Sequence, residues 1–191
     1  MSWAPDRVAQ QQAERHRGAV SDQSRQRPDN DPDHPSITIL AGNQRVNGGE
    51  IGVSGYITDK WEIFAGYTYL DAKTTSSGTA ADVGQFLQNT ARNSGNLWTT
   101  YDVTDQFTIG GGGNWLGHRY GDFAQQANIP GYVVWNAMAS YKINDDFKVQ
   151  LNLNNIFDKY YYDAAYYTSA SENHIIPGPG RTVLLTTSVD F

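Results

Sequence analysis

The chain of 191 residues contains no cysteine, so disulfide staples and thiolate metal sites are excluded. It contains no run near the ~18 apolar residues that a spanning helix requires, which excludes a helical membrane protein. Charge is sparse: charged residues make up 18% of the chain, against about 25% in an ordinary soluble domain. The balance is acidic, 14 Lys and Arg against 20 Asp and Glu, and a net charge of −6 argues against nucleic-acid binding. The opening stretch MSWAPDRVAQQQAERHRGAV lacks an apolar core and does not read as a secretory signal. Aromatics are plentiful, at 13% with 12 Tyr and 5 Trp. A mean hydropathy of −0.57 remains compatible with a transmembrane barrel, whose strands alternate lipid-facing apolar and lumen-facing polar residues.

Residues 1–35 stand apart. They are rich in Gln, carry Pro28, Pro32 and Pro35 among polar neighbours, and show no alternation. This predicts loop or disorder, with a short exposed helix over 7–17 as the alternative. From Ile37 onward the pattern has period two. Phe147, Val149, Leu151 and Leu153 alternate with Lys148, Gln150, Asn152 and Asn154, which puts an apolar face and an amide face on one strand. The same parity predicts about seven antiparallel strands, near 45–57, 61–70, 93–103, 107–117, 131–143, 147–157 and 181–191. Most are near the 9–11 residues of a tilted membrane-crossing strand and exceed the 5–6 of an average soluble one.

A pentapeptide recurs between these strands: ITDKW (57–61), VTDQF (103–107) and INDDF (143–147). Each predicts a tight turn, because short polar side chains hydrogen-bond their own backbone. The aromatic that follows is placed at a membrane–water boundary. The other connections, 71–92, 118–130 and 158–180, are long and rich in Ser, Thr, Gly, Asn, Gln and Tyr. Short turns on one side and long loops on the other are the asymmetry of outer-membrane barrels, with the short side periplasmic. The terminal TVLLTTSVDF ends on Phe191, with Val189 two residues before it, and is similar to the carboxy-terminal assembly signal of bacterial outer-membrane proteins.

NLNNIFDKYY (152–161), followed by PGRTVLL (179–185) and a terminal Phe, resembles the carboxy-terminal region of TonB-dependent outer-membrane receptors. GEIGVSG (49–55), ITDKWEIFAGYTYLDA and IPGYVVWNAMASYKI are also similar to that family, particularly to its catecholate-type ferric siderophore receptors. The resemblance implies an all-β barrel of about 22 strands closed by an amino-terminal plug. It implies uptake of ferric siderophores energised by the TonB complex acting through the plug. Iron would arrive already chelated, with no resident cofactor, and the further partners would be outer-membrane lipid and the assembly machinery. The chain carries neither plug nor TonB box. The expectation is therefore a carboxy-terminal barrel fragment over 36–191, preceded by a disordered or non-native segment over 1–35. Strand 45–57 is expected to lack its upstream partner, and such an edge in hydrocarbon is expected to cause aggregation.

A ferric catecholate is a large anion with flat faces, suited to cations and aromatic rings. In the long connections the candidate contacts are Arg92, Arg119, Tyr120, Lys159, Tyr160, Tyr161, Tyr166, Tyr167 and His174. The plainer reading of the tyrosines is an interfacial girdle or loop bracing. His118 and His174 have no carboxylate or second His at ligand spacing, so no metal site is expected. Gly110–Gly113 lies mid-strand without a following helix or lysine, so it reads as curvature or close approach, not a phosphate cradle. Ser, His and Asp are scattered without a catalytic arrangement. A passive porin, another ligand-specific transporter, an outer-membrane enzyme and a soluble ligand-binding barrel are the alternatives. Loss of uptake on deleting the energy-coupling system separates receptor from porin.

Overall fold

The structure is a computed structural model and describes residues 14–20, 25–30, 38–169 and 172–189. Nearly every element is a strand: β1 (Glu14–Val20), β2 (Arg25–Asn30), β3 (Thr38–Thr58), β4 (Trp61–Ser76), β5 (Asn93–Asp102), β6 (Phe107–Leu116) and β7 (Arg119–Tyr120). They continue with β8 (Asn128–Ile129), β9 (Tyr132–Lys142), β10 (Phe147–Asn154), β11 (Tyr162–Ser169), β12 (Glu172–Pro177) and β13 (Thr182–Val189). One 3₁₀ turn, Ala80–Asp82, interrupts the connection after β4. The main sheet is an antiparallel meander in the order β3-β4-β5-β6-β9-β10-β13, with β1 and β2 both paired to the far side of β3.

All seven expected strands are present, and the differences lie at their ends. β3 begins at Thr38 and β4 runs to Ser76. At ~3.3 Å per residue the 16 residues of β4 reach roughly 50 Å, well beyond what a bilayer crossing uses. β10 stops at Asn154, because Asn155 turns the chain with φ +50°. The expectation of loop or disorder before residue 36 is corrected over 14–20 and 25–30. Both stretches are strands: β1 pairs with 48–54 and so supplies the upstream partner that 45–57 was expected to lack, while β2 pairs with the earlier part of β3, over 38–44. The reason is that backbone N–H and C=O groups pair whatever the side chains, so a polar sequence without alternation still completes an edge. The long connections also hold structure that period-two reading missed, the β7–β8 ladder and the β11–β12 hairpin. Phe191, the terminal assembly-signal residue, lies outside the described residues, while Val189 closes β13 opposite Phe147.

The repeated pentapeptides form the tight turns. Their second residue carries the bonding: the Lys60 N–H donates to Thr58 Oγ1 at 3.4 Å, Phe107 N–H to Thr104 Oγ1 at 3.0 Å, and Asp146 N–H to Asn144 Oδ1 at 3.0 Å. At the third, Asp145 accepts from Lys142 Nζ at 2.9 Å, and that bond holds its carboxyl below the usual range. Replacing Thr104 by valine is expected to cost about 0.5–1.5 kcal/mol, the net value of one such bond. Urea unfolding of the membrane-inserted protein measures it, and an unchanged midpoint would contradict this role for the hydroxyl.

Register sorts the side chains into two faces. Ile51, Tyr67, Gly95, Trp115 and Val133 stand opposite one another in successive pairs and share one face. Leu97, Ile109, Ala139, Leu151 and Leu185 belong to it as well. The opposite face carries Asn96, Asn114, Asn136, Ser140, Gln150 and Asn152. No described residue covers the apolar face: Val183 and Leu185 remain 66% and 64% exposed, and the buried hydrophobic residues described are only Ala72, Ala91, Ile129, Val134 and Ala165. Each large side chain left bare forgoes about 1.5–3 kcal/mol in water. A sheet of this make-up is stable only with hydrocarbon as its solvent. The face is bounded by two aromatic rows, Trp61, Tyr101, Phe107 and Tyr141 near the tight turns and Tyr67, Tyr69, Trp115 and Trp135 near the long loops. Trp61 and Tyr69 are eight residues apart, about 26 Å of strand and roughly 20 Å of height at the tilt of such barrels, a little under the ~25 Å of their apolar band.

Gly110–Gly113 sits in the middle of this wall. A Cβ on Gly112 would collide with the Leu97 carbonyl oxygen and with Trp98, 2.8 Å away, while Gly113 lies under the Trp135 ring, 3.0 Å from where its Cβ would be. The glycines let Trp98 lie flat on one face and Trp135 on the other. This is the close approach expected from the sequence.

Candidate functional site

The long loops meet at one end of the sheet, and asparagine side chains tie them together. Asn89, in the left-handed region at φ +53°, donates from Nδ2 to the Ala165 carbonyl at 2.9 Å and accepts the Ala165 N–H at 3.0 Å. Its own N–H donates to the Tyr120 carbonyl at 2.8 Å. One residue thus joins the β4–β5 connection, the β7 ladder and the β11–β12 hairpin. Asn155 does the same for the last loop. It is 3% exposed; its Nδ2 donates to the carbonyls of Lys159 at 2.9 Å and Pro179 at 3.1 Å, and its Oδ1 accepts the Lys159 N–H at 2.8 Å. Asp158 Oδ1 accepts the Arg181 N–H at 2.8 Å. These bonds join NLNNIFDKYY to PGRTVLL, so the shared stretch is a clamp that closes the β10–β13 loop.

Arg119 is 4% exposed. Its Nη2 donates to the Tyr162 carbonyl at 2.6 Å, and its guanidinium lies 5.8 Å from the Tyr132 ring centre. Its Nε is buried without a partner. The Tyr132 and Tyr161 rings are 4.2 Å apart, tilted by 39°. Burial and the nearby Asp163 carboxylate push the Tyr161 phenol up, so it stays neutral and hydrogen-bonding at physiological pH. Beneath this cluster, on the amide face, a cavity of ≈ 340 Å³ is lined by Asn114, Asn136, Asn154, Tyr132 and Tyr161 among others. A cation, two rings and a row of amides can grip an anion with flat faces through charge, stacking and hydrogen bonds.

The family described as TonB dependent receptor-like, beta-barrel matches residues 17–156. The chain belongs to that family. Its TonB-dependent receptors are outer-membrane barrels of Gram-negative bacteria, receptors and not enzymes. The apolar face is therefore the lipid-facing outside of the barrel wall and the amide face its lumen. Among relatives, the chain is 35% identical over 167 residues to the probable TonB-dependent siderophore receptor PiuA of Acinetobacter baumannii, covering 82% of this chain and 22% of that protein. It is 36% identical over 156 residues to the catecholate siderophore receptor Fiu of Escherichia coli K12, covering 78% and 20%. The crystal structure of PiuA superposes with a TM-score of 0.71 at 34% identity, over 90% of this chain and 25% of that one. The chain thus spans about a fifth of the length of the relatives it matches. The match begins at residue 17, inside the segment expected to be non-native.

Within this receptor barrel the expected contact residues separate. Arg119 and Tyr161 both pack against Tyr132, which with Tyr161 lines the lumen cavity, and Tyr120 is tied in through its carbonyl. Tyr160 is 70% exposed and packs edge-on against Tyr162 at 5.4 Å. Tyr166 and His174 face each other across the β11–β12 hairpin, where Tyr167 pairs with Asn173. Arg92 and Lys159 go elsewhere. The Arg92 guanidinium lies over Tyr69, on the outer face, and donates to its hydroxyl at 2.7 Å. Lys159 lines an outer groove with Trp115 and Trp135, which Tyr132 also borders. Sequence reading missed Tyr132 and the lumen asparagines, which it counted as strand alternation, and Asn89 and Asn155. The left-handed turn propensity of Asn was the one available signal for the last two.

Proposed function

We propose that this chain is the carboxy-terminal section of the wall of a ferric siderophore receptor, of the catecholate class, driven by the TonB complex. The observation that carries this reading is the 35–36% identity to PiuA and Fiu across about four-fifths of the chain. The complete receptor takes chelated iron as cargo, holds no resident cofactor and performs no catalysis. Arg119, Tyr120, Tyr160, Tyr161, Tyr166 and His174 are the loop residues that meet the ligand, with Tyr132 and the lumen asparagines below them. The Arg119–Tyr132–Tyr161 arrangement supports this, because a buried cation beside two rings suits an anionic aromatic chelate.

The test is uptake of radiolabelled ferric catecholate by iron-starved cells carrying the complete receptor. Arg119→Met is expected to weaken half-saturation about tenfold or more, the worth of a charge-assisted bond of ~1.5–3 kcal/mol. Deleting the TonB system is expected to abolish uptake. Uptake that persists without TonB would establish the porin reading, and an Arg119→Met receptor with unchanged half-saturation would remove Arg119 from the site.

A further inference from the structure

The charges around the Tyr132–Tyr161 ring pair are unequally exposed. Arg119 is 4% exposed, and its Nη2 is taken up by the Tyr162 carbonyl at 2.6 Å. The next residue along the chain from Tyr162, Asp163, is exposed. It is the extra residue of a β-bulge: Tyr162 pairs with Pro177 and Ala164 with Ile176, so Asp163 has no residue opposite it in the β11–β12 hairpin. A bulge takes a side chain out of the strand's alternation and re-aims it, commonly at a site. Here the carboxylate comes close enough to the Tyr132 and Tyr161 phenols for its charge to act on both, whereas the Arg119 charge acts on Tyr132. Among the described residues, no lysine or arginine forms an ion pair with Asp163. The accessible charge at the rings is therefore negative, although the buried one is positive.

We propose that Asp163 selects a ferric catecholate that carries a cationic arm, and that a protonated amine of that arm sits between the Asp163 carboxylate and the Tyr161 ring. A carboxylate beside an aromatic face suits an ammonium group, because the charge and the ring quadrupole attract it together. Tyr132 is the poorer seat, since the Arg119 guanidinium already lies 5.8 Å from its ring centre. The chelate itself is an anion, so an unpaired carboxylate in its site repels it. A cationic arm turns that repulsion into attraction, whereas a hydroxyl or amide arm leaves it standing. The proposal rests on the catecholate reading of the site and narrows it to ligands that bear both signs of charge.

The test measures half-saturation of uptake in iron-starved cells carrying the complete receptor. The two probes are the radiolabelled ferric complexes of N-catechoyl-lysine amide and of its Nε-acetyl analogue, which differ only in the charge of the arm. The free amine is expected to reach half-saturation at a concentration about fivefold lower or more, the scale of one partly exposed ion pair and one cation–π contact. Asp163→Asn is expected to weaken the amine ligand and to strengthen the acetylated one, because it removes a partner from the first and a like charge from the second. A carboxylate that only held the hairpin in place would, once replaced, weaken both ligands alike. That result, an unchanged preference in Asp163→Asn, or equal half-saturation of the two ligands by the wild-type receptor would each overturn the proposal. Uptake of neither complex by the wild-type receptor is a different failure, and it would bring down the catecholate reading together with the proposal built on it.

Discussion

Replacing Gly112 by alanine is expected to prevent the wall from assembling, whereas the same change at Gly111 is expected to be tolerated. The two glycines are neighbours, yet their surroundings differ. A Cβ on Gly112 meets the Leu97 carbonyl oxygen and Trp98 Cα and Cε3 at 2.8 Å, whereas the nearest atom to a Cβ on Gly111 is the Asn136 carbonyl oxygen at 3.3 Å. A carbonyl in a ladder cannot yield without breaking its own pairing, and Trp98 is pinned flat against the same spot. Gly112→Ala should therefore cost at or above the ~3 kcal/mol upper end of ordinary overpacking, and Gly111→Ala within about 1 kcal/mol. Heat-resistant, protease-protected protein in outer-membrane fractions is the readout. Equal amounts for the two variants would show that strand contact at Trp98 is not tight.

Asn155→Ala should have the second largest effect, confined to one loop. Alanine strands the Lys159 N–H and the Lys159 and Pro179 carbonyls in a position only 3% exposed. Each buried group left unpaired costs about 1–3 kcal/mol, so a loss of at least ~3 kcal/mol to local order is expected. Alanine also fits poorly at φ +50°. Asn155→Gly separates the two terms, since it keeps the backbone freedom and loses the bonds. Amide exchange at Lys159 and proteolysis within the last loop should accelerate by tenfold or more in both variants, while the strands stay protected. If glycine restores protection fully, the clamp is a matter of backbone geometry and not of hydrogen bonds.

The sheet was legible because its information is local. Side-chain parity along Phe147–Asn154 repeats every two residues, and Thr104 and Asn144 mark turns with their own hydrogen bonds. β1 and β2 were not legible, since their pairing to β3 runs through backbone groups that leave no trace in side-chain pattern. The candidate site was only half legible. Arg119 stands out as a cation among glycines and tyrosines, but its companion Tyr132 reads as the first residue of a strand. Arg92 and Lys159 looked equivalent to Arg119 in the sequence. Only the register, which places Tyr69 and Trp115 on the outer face, separates the lipid side from the lumen. Loop residues 76 positions apart, Asn89 and Ala165, meet through contacts that no periodicity encodes.

The central claim is that one face of this wall lies in hydrocarbon and the other in water. Because the chain has no cysteine, single cysteines carrying nitroxide labels can be placed one at a time from Phe147 to Asn154 in the membrane-inserted protein. Collision rates with lipid-soluble oxygen and with a water-soluble nickel complex then report each position's surroundings. Labels at 147, 149, 151 and 153 should favour oxygen and those at 148, 150, 152 and 154 nickel, in strict alternation. A flat profile, or one with the apolar positions shielded from both reagents, would contradict the membrane-wall account.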